Sequence, residues 1–255
     1  MKDLIFYSIE GSAAVHYACE ELKKRGICVV KEPTPAVTHL ILPIPSFDTN
    51  GHIRGAGDLR HILSQLPENV TIIGGNLHHK ALDSRNTLDL LQDEQYLAQN
   101  AAITADCAMR IAGNNLQVCF RGCKILIVGW GRIGKCLAQL LQSMGAQVHV
   151  AARREKDRAS LASLGIMAHD PEELGADLKE YRVIFNTAPE MVLDRNKTAF
   201  CRHDCVLIDL ASAPGLEGEN VIVARGLPGK DLPEASGALI AATICRLLHQ
   251  KGDAL

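Results

Sequence analysis

The stretch Lys124-Ile-Leu-Ile-Val-Gly-Trp-Gly-Arg-Ile-Gly134 decides the fold of this chain. Its apolar run, 125–128, is rich in β-branched residues and too short for a helix, so it predicts a buried strand. Three glycines follow with the spacing G-x-G-x-x-G, and apolar residues at helical spacing then lead to Gly145, which predicts a helix with a glycine stop. A second strand is predicted at 147–151. Strand, glycines, helix and strand in this order indicate a dinucleotide-binding βαβ unit.

Each glycine of the fingerprint has its own physical role. Gly129 permits the tight turn out of the strand, Gly131 lets the backbone approach a pyrophosphate, and Gly134 lets the helix pack on the strand. The amino end of the helix offers unpaired N–H groups and a positive dipole end to the phosphates. The alternative is a glycine-rich turn that binds nothing. The residues predicted to contact the dinucleotide here are Gly129, Trp130, Gly131, Arg132, Ile133 and Gly134.

The end of the second strand indicates which dinucleotide is bound. NAD-binding domains place an Asp or Glu there, about 20 residues beyond the glycines, for the ribose 2′-hydroxyl. This chain has no carboxylate at that point, and Arg153 and Arg154 stand in its place. A guanidinium matches a phosphate group in a bidentate fork. We therefore expect NADP, with NAD possible, because two solvated arginines would be compatible with either cofactor.

Composition bounds the remaining possibilities. The chain has 255 residues, and 47% of them are hydrophobic, which is enough for two modest domains with cores of their own. Its net charge is −2. No basic cluster suggests nucleic-acid binding. No apolar run reaches the length of a membrane span, and the first residues predict a strand rather than a signal peptide, so a soluble, cytoplasmic protein is expected. Nine scattered cysteines predict reduced thiols and no metal site.

The first part of the chain alternates predicted strands with predicted helices. Strands are expected at 4–9, 27–31, 38–42, 70–73 and 87–91, and helices at 13–25 and 59–66. This pattern predicts a small α/β domain with a parallel sheet, of flavodoxin-like type, at 1–98. A long helix, 93–112, interrupted near Thr104, then leads to the second domain. Asn100 and Thr104 are four residues apart and are expected on one helix face.

The second domain is predicted to be a doubly wound Rossmann domain at 99–233. Helices are expected at 155–164 and 172–179, strands at 182–185, 205–210 and 221–224, and a final helix at 236–249, within a segment 234–255 that returns to the domain interface. Three loops of small residues follow the last three strands. They form a predicted rim for the nicotinamide and its ribose, and their candidate cofactor-binding residues are Asn186, Thr187, Ala188, Pro189, Leu210, Ala211, Ser212, Leu227 and Pro228.

Several segments together resemble the family of the A subunit of dipicolinate synthase. They are 40–43, 100–109, 128–134, 151–153, 185–189, 208–215 and 226–229, and they span nearly the whole chain. The most specific are Asp-Leu-Ala-Ser-Ala-Pro-Gly at 209–215 and Gly-Leu-Pro-Gly at 226–229. The chain departs from the family at Leu216, where a second glycine is usual. The resemblance implies NADP use, formation of dipicolinic acid during sporulation, and a second synthase subunit; we also expect a homo-oligomer.

The implied reaction removes hydride from a cyclic dihydro-dicarboxylate and forms an aromatic pyridine. Because aromatisation makes the step favourable, the protein mainly has to position the reactants and accept a proton. Donors and positive charge are expected around the two substrate carboxylates. The candidate catalytic residues are Ser46, His78 and Thr104, and the candidate substrate-binding residues are Pro43, Arg54 and Asn100.

Two other functions stay open. A D-2-hydroxyacid dehydrogenase would share the fold, but it calls for an Arg after the penultimate strand and a late Glu/His pair. Here that strand ends in Leu210-Ala-Ser-Ala, and no His lies in 226–237. The second alternative is a non-catalytic NADP-binding subunit, because the sequence shows no clear acid–base constellation.

Overall fold

The computed structural model describes residues 4–9, 11–55 and 57–250. The chain divides into two compact units, Met1–Asn100 with Pro228–Leu255, and Ala101–Leu227. The domain boundaries predicted at 98 and 233 stay a prediction, since compactness does not establish independent folding. Parts of the predicted first domain and of the final segment, 1–3 and 251–255, lie outside the described residues.

The first unit contains a five-stranded parallel sheet. Its strands are β1 (Ile5–Ser8), β2 (Cys28–Val30), β3 (His39–Ile41), β4 (Thr71–Gly74) and β5 (Thr87–Asp89), and the helices of this unit are α1 (Ala13–Lys24), α2 (Leu59–Ser64) and α8 (Pro233–Gln250). The strand order, β2-β1-β3-β4-β5, is that of flavodoxin-like sheets. One hydrophobic core of this unit combines residues of the strands and adjoining loops, such as Leu40, Leu42 and Ile72, with Leu59 and Leu63 of α2.

The second unit contains a six-stranded parallel sheet. Its strands are β6 (Lys124–Val128), β7 (Gln147–Ala151), β8 (Met167–His169), β9 (Val183–Asn186), β10 (Val206–Asp209) and β11 (Val221–Val223), and its helices are α4 (Arg132–Ser143), α5 (Glu155–Ser163) and α6 (Arg195–Thr198). The strand order is β11-β10-β9-β6-β7-β8. Counted from β6, this is the Rossmann order 3-2-1-4-5-6, read from its far edge. The two sheets confirm the predicted fold class.

Two helices cross the boundary between the units. They are α3 (Glu94–Asn115) and α7 (Leu227–Asp231). The predicted interruption of α3 near Thr104 is wrong, because the helix runs without a break for 22 residues. Alanines surround this β-branched residue, and their high helix propensity outweighs its small cost. The predicted loop 226–229 is also wrong beyond Gly226, since α7 begins at Leu227 and tolerates Pro228 in its first turn.

Local signals account for several boundaries. The hydroxyl of Ser12 accepts a hydrogen bond from the backbone N–H of Val15 and caps α1, which ends before Gly26 at φ +84°. The strand predicted to reach residue 91 ends at Asp89, because this carboxylate accepts from the N–H of Leu91 and begins a 3₁₀ turn, Leu90–Gln92. The Ser12 cap agrees with the predicted start of α1, whereas the Asp89 cap ends β5 two residues before the predicted end of the strand.

The segment between α5 and β9 differs most from its prediction. The helix predicted at 172–179 is a turn followed by a 3₁₀ helix, Ala176–Glu180, because Gly175 interrupts the helical run at φ −164°. Sequence reasoning missed β8, a three-residue edge strand whose partner is β7. A run this short carries too little periodicity to be recognised without its partner.

A candidate dinucleotide-binding site

A cavity of about 540 Å³ lies at the carboxyl ends of β6, β7 and β9. Strand β7, which follows β6 in the sequence, lies on one side of β6 in the sheet, and β9 lies on the other side. The strand order therefore reverses at β6, and open α/β sheets bind ligands at such a switch point. The cavity is lined by Val128, Gly129, Trp130, Gly131, Ala151, Ala152, Arg153, Arg154, Asp157, Asp170, Pro171, Glu172, Thr187, Ala188, Pro189, Glu190, Met191, Val192 and Lys197.

The three fingerprint glycines form a cradle that fits a pyrophosphate. Gly129 has φ +101°, and a Cβ there would lie 2.5 Å from Thr187 Oγ1. A Cβ on Gly134 would lie 2.3 Å from the carbonyl oxygen of Gly129, so the helix packs directly on the turn. A Cβ on Gly131 would meet no protein atom within 4 Å and would enter the open cavity. Gly131 is also the N-cap of α4, where no side chain caps the helix. The site therefore leaves backbone and space for a phosphate group.

Thr187, in the loop after β9, is hydrogen-bonded to the turn that follows β6. Its backbone N–H donates to the carbonyl of Val128 at 2.8 Å, and its hydroxyl donates to the same carbonyl at 3.0 Å. Because the hydroxyl lies against Gly129, the turn after β6 and the loop after β9 are one connected structure. A side chain at position 129 would separate them.

A buried amide–carboxylate pair organises the loops after β9 and β10. Asn186 and Asp209 are almost fully buried, and Asn186 Nδ2 donates to Asp209 Oδ1 at 2.8 Å. Asp209 also accepts from the N–H groups of Ala211 and Gly215 at 3.2 and 2.9 Å. The amide of Asn186 bonds to the backbone of Ala188 in both directions. The buried side chain of Asn186 therefore fixes the backbone of the loop after β9 and links it to Asp209.

Each predicted arginine is paired with a carboxylate in the cavity wall. Arg153 Nη1 lies 2.8 Å from Glu190 Oε2, and Arg154 Nε lies 2.6 Å from Asp157 Oδ2. The two guanidinium groups are largely exposed, at 73% and 61% of their side-chain area. They are positioned to meet an anion, but an anion has to compete with these carboxylates.

A third arginine, which the sequence analysis missed, supports the first two. Arg158 Nη1 donates to the carbonyls of Ala152 and Arg153 at 2.8 and 2.7 Å and pairs with Asp170 at 2.9 Å. It therefore fixes the backbone at the end of β7. Its position four residues beyond Arg154, on the first turns of α5, could have suggested this role. Lys197 is a further cation of the cavity, and its Nζ donates to the carbonyl of Pro171 at 2.8 Å.

The predicted cofactor-binding residues fall into two groups. Eight of them line the cavity: Gly129, Trp130, Gly131, Arg153, Arg154, Thr187, Ala188 and Pro189. The others lie in the adjoining turn, strand ends and helices: Arg132, Ile133, Gly134, Asn186, Leu210, Ala211, Ser212, Leu227 and Pro228. Contact of any of these residues with a cofactor stays a prediction.

In the first unit, the expected catalytic role of Ser46 does not fit its surroundings. The residue is fully buried, its Oγ donates to the carbonyl of Pro43 at 2.9 Å, and the N–H of Gly75 donates to it at 3.0 Å. The hydroxyl thus donates to one backbone group of the protein and accepts from another, so its role is to stabilise the loop. Pro43 is buried as well, and its carbonyl serves the same bond.

The remaining candidates of this unit and of α3 differ in exposure. Arg54 is exposed, and only its Nε has a described bond, to the carbonyl of Phe47 at 2.9 Å. His78 is exposed. Asn100 is half-buried and Thr104 is 7% exposed, one helical turn further along α3. Their roles toward a substrate stay predictions.

Within residues 4–9, 11–55 and 57–250, no helix is long and apolar enough to cross a membrane. None of the nine cysteines forms a disulfide bond in the described part of the chain. The same residues contain no group of three or more His, Cys, Asp or Glu side chains that could hold a metal ion.

Comparison with known proteins identifies the family. Residues 94–224 match the model described as D-isomer specific 2-hydroxyacid dehydrogenase, NAD binding domain. The chain belongs to this family. The matched range contains the glycine cradle, both arginines and the Asn186–Asp209 pair, so the cavity lies in a nicotinamide dinucleotide-binding domain of dehydrogenase type.

A characterised relative and two solved structures carry one name. The chain is 25% identical over 174 residues to the A subunit of dipicolinate synthase from Bacillus subtilis (strain 168), across 65% of this chain and 59% of the relative's length. The crystal structure of the A subunit of dipicolinate synthase from Bacillus halodurans matches with a TM-score of 0.83 at 20% identity, covering 97% of this chain and 98% of that one. The Bacillus subtilis structure matches with a TM-score of 0.81 at 21% identity, covering 98% and 97%.

These matches confirm the resemblance drawn from the sequence motifs. At these identities the structural matches establish the fold, and they agree with the two parallel sheets described above. The family model establishes a nicotinamide cofactor domain, whereas the choice between NAD and NADP depends on the residues of this chain.

Proposed function

We propose that this chain is an NADP-dependent oxidoreductase subunit that oxidises a dihydrodipicolinate-type cyclic dicarboxylate to dipicolinic acid. The observation that supports the cofactor is the cavity itself, in which a glycine cradle and two arginines face the same space. The name of the characterised relative supports the substrate class. In this proposal the cradle holds the pyrophosphate, and the arginines select the 2′-phosphate.

The protein's own residues bind and orient the reactants. The N–H groups at the start of α4 receive the pyrophosphate, and Arg158 holds the backbone of Ala152 and Arg153 beside the cavity. The Asn186–Asp209 pair keeps the rim rigid, which reduces the cost of ordering it on binding. When bound, the nicotinamide group accepts hydride, so that one dihydro-dicarboxylate and one oxidised cofactor give one dipicolinate, one reduced cofactor and one proton.

The substrate has two carboxylates and requires positive charge or N–H donors. Arg54 is our candidate from the first unit, since its Nη groups have no described bond and its Nε is anchored on Phe47. His78, Asn100 and Thr104 are further polar candidates. Because the product is aromatic, the reaction needs positioning more than a strong base. Ser46 does not belong to this set, because its hydroxyl is fully buried and hydrogen-bonded to the backbone of Pro43 and Gly75.

We further propose that the reaction also involves a second synthase subunit, that the chain forms a homo-oligomer, and that it acts in the cytoplasm during sporulation. The relative's designation as one subunit of a synthase supports the first point.

Incubating the purified chain with freshly generated dihydrodipicolinate and NADP tests the proposal, with and without the partner subunit. Dipicolinate detected by mass spectrometry, in equal amount to reduced cofactor, is the expected result. Cofactor binding without turnover in either arm would contradict it and favour a non-catalytic role.

The family match favours a second candidate, a D-2-hydroxyacid dehydrogenase. The loop after β10 starts with Leu210-Ala-Ser-Ala and supplies no arginine there, which weighs against this reaction. A panel of D-2-hydroxy acids with both cofactors separates the two. Turnover of any of them at rates above that of dihydrodipicolinate would favour the second candidate.

A further inference from the structure

The Arg153–Glu190 pair brings opposite charges together from two different strand ends. Arg153 follows β7, Glu190 follows β9, and 37 residues separate them in the sequence. Both side chains line the cavity that contains the glycine cradle. With the pyrophosphate on the start of α4, the adenosine ribose of a dinucleotide belongs at the end of the next strand, which is β7.

Both members of the pair stand on anchored backbone. The carbonyl of Arg153 accepts a hydrogen bond from Arg158 at 2.7 Å. On the other side, the carbonyl of Gly215 accepts from the N–H of Val192 at 3.0 Å, and a Cβ on Gly215 would lie 2.8 Å from the carbonyl of Glu190. The backbone beside both side chains is therefore held by contacts with neighbouring segments.

The pair supplies the carboxylate that β7 lacks. In domains that bind NAD, an acidic side chain at the end of this strand accepts from the ribose 2′-hydroxyl. Here the strand is followed by Ala152, Arg153 and Arg154, and the carboxylate beside Arg153 comes from Glu190. A carboxylate can accept from a 2′-hydroxyl, whereas it repels a 2′-phosphate and competes with it for the guanidinium.

The ion pair is weak enough to be displaced. Its side chains are 73% and 49% exposed, and exposed pairs of this kind contribute little to stability. A phosphate dianion can therefore take Arg153 from Glu190. We infer that Glu190 is a specificity-determining residue of the cofactor site, which allows NAD to bind and limits the preference for NADP. This inference rests on the proposed use of a nicotinamide dinucleotide in the cavity.

Glu190→Gln tests the inference, because it removes the charge and keeps the size of the side chain. Affinities for NADP and NAD are measured by calorimetry and by quenching of Trp130, the single tryptophan, which lines the cavity. NADP should bind about fivefold more tightly, and NAD should not gain, because one weak ion pair no longer opposes the phosphate. An unchanged NADP affinity, or an equal gain for both cofactors, would overturn the inference.

Glu180→Gln is the matched control. Glu180 has the same exposed fraction, 49%, and it pairs with Lys124 outside the cavity. The control should leave both affinities unchanged, and a comparable gain for NADP would show that net charge alone is responsible. In an Arg153→Ala background the gain from Glu190→Gln should shrink, since the competition for Arg153 is then removed and only the direct repulsion between Glu190 and the phosphate remains. An undiminished gain there would also overturn the inference.

These measurements need no substrate, so they separate two failures. An unchanged ratio of NADP to NAD affinity contradicts the role of Glu190 and leaves the proposed reaction intact. Absence of turnover with dihydrodipicolinate contradicts the reaction and leaves the affinity ratio informative. A parent chain that binds neither cofactor would overturn both.

Discussion

At the scale of single residues, Gly131 and Gly134 show how one residue type serves two purposes. Both lie at the start of α4, three residues apart. A methyl group on Gly134 would collide with the carbonyl of Gly129 at 2.3 Å, which is a packing conflict inside the protein. A methyl group on Gly131 would meet no protein atom, so only a ligand would detect it. Substitutions at the two positions should therefore affect different measurements.

Gly131→Ala should keep the fold and lose cofactor binding. Its φ of −82° suits alanine, so thermal unfolding should stay close to that of the parent. Calorimetry should show a loss of at least about tenfold in NADP affinity, since the pyrophosphate approaches the backbone at this glycine. Gly134→Ala is the comparison, with an expected loss of about 1–3 kcal/mol in unfolding free energy from overpacking. Normal NADP binding by Gly131→Ala would place the phosphate elsewhere.

The double variant Arg153→Ala, Arg154→Ala should change cofactor choice. Losing bidentate contacts to a phosphate costs about 1.5–3 kcal/mol, so NADP affinity should fall roughly tenfold to a hundredfold, and NAD affinity much less. Titrations with both cofactors measure the ratio. Arg202→Ala serves as a control, since Arg202 pairs with Asp204 away from the cavity. Equal weakening of both cofactors would contradict selection by these arginines.

At the scale of elements, α1 and α8 pack so closely that no side chain fits between them at Gly237. These helices begin at Ala13 and Pro233, near opposite ends of the chain, and both belong to the first unit. A Cβ on Gly237 would lie 2.7 Å from the carbonyl of Ala14 and 2.7 Å from the N–H nitrogen of Ala18. The nearest atom of all is Tyr17 Cβ, at 2.5 Å, and neither a Cβ nor the backbone atoms can move away by rotation of a side chain.

Gly237→Ala should therefore destabilise the first unit by about 2–3 kcal/mol, because α8 has to move away from α1. The matched control is Gly113→Ala in α3, where the nearest atom to a new Cβ is 3.9 Å away on the ring of Phe120. That change should raise the free energy of unfolding by about 0.5–1 kcal/mol, because alanine has a higher helix propensity than glycine. Denaturant titrations of both variants measure the difference. Equal stability of the two would contradict the close packing of α1 and α8.

At the scale of the whole molecule, a polar cluster formed by His149 of β7, His169 of β8 and Tyr181 links stability to pH. His149 Nδ1 lies 2.9 Å from His169 Nε2, and the hydroxyl of Tyr181 lies 3.0 and 3.2 Å from these two nitrogens. Desolvation lowers the pKa of His149 to about 4, and the positive charge of Lys124 acts in the same direction. The histidine is thus neutral in the folded protein at a pH where the unfolded chain protonates it.

Stability should fall as the pH drops from about 6.5 toward 4. In this range the unfolded state binds a proton at His149 and the folded state does not, so protonation favours unfolding. Because the ring is partly exposed, solvent screening reduces the effect to about 1 kcal/mol. Urea unfolding at one pH inside this range and at one pH above it measures the change in stability. In the variant His149→Gln, stability should depend less on pH. An equal slope in parent and variant would assign the effect to other groups.

The sequence by itself determined the local units of this protein. The glycine spacing, the apolar run before it and the stop near Gly145 predicted β6, α4 and β7 in this order, with both strands within one residue, because each boundary depends on neighbours along the chain. The Rossmann class follows from that unit, and the family match confirmed it. The absence of a carboxylate after β7 was equally visible, and it pointed to Arg153 and Arg154 as a possible phosphate contact.

The tertiary structure alone decided what surrounds those residues. Glu190 reaches Arg153 across 37 residues and Asn186 reaches Asp209 across 23, because the strand order places β9 between β6 and β10. The burial of Ser46 and the existence of β8 likewise depend on neighbours that are distant in sequence. Propensity and spacing report on the chain within a few residues, whereas the charge balance of this cavity arises only where separate strands end side by side.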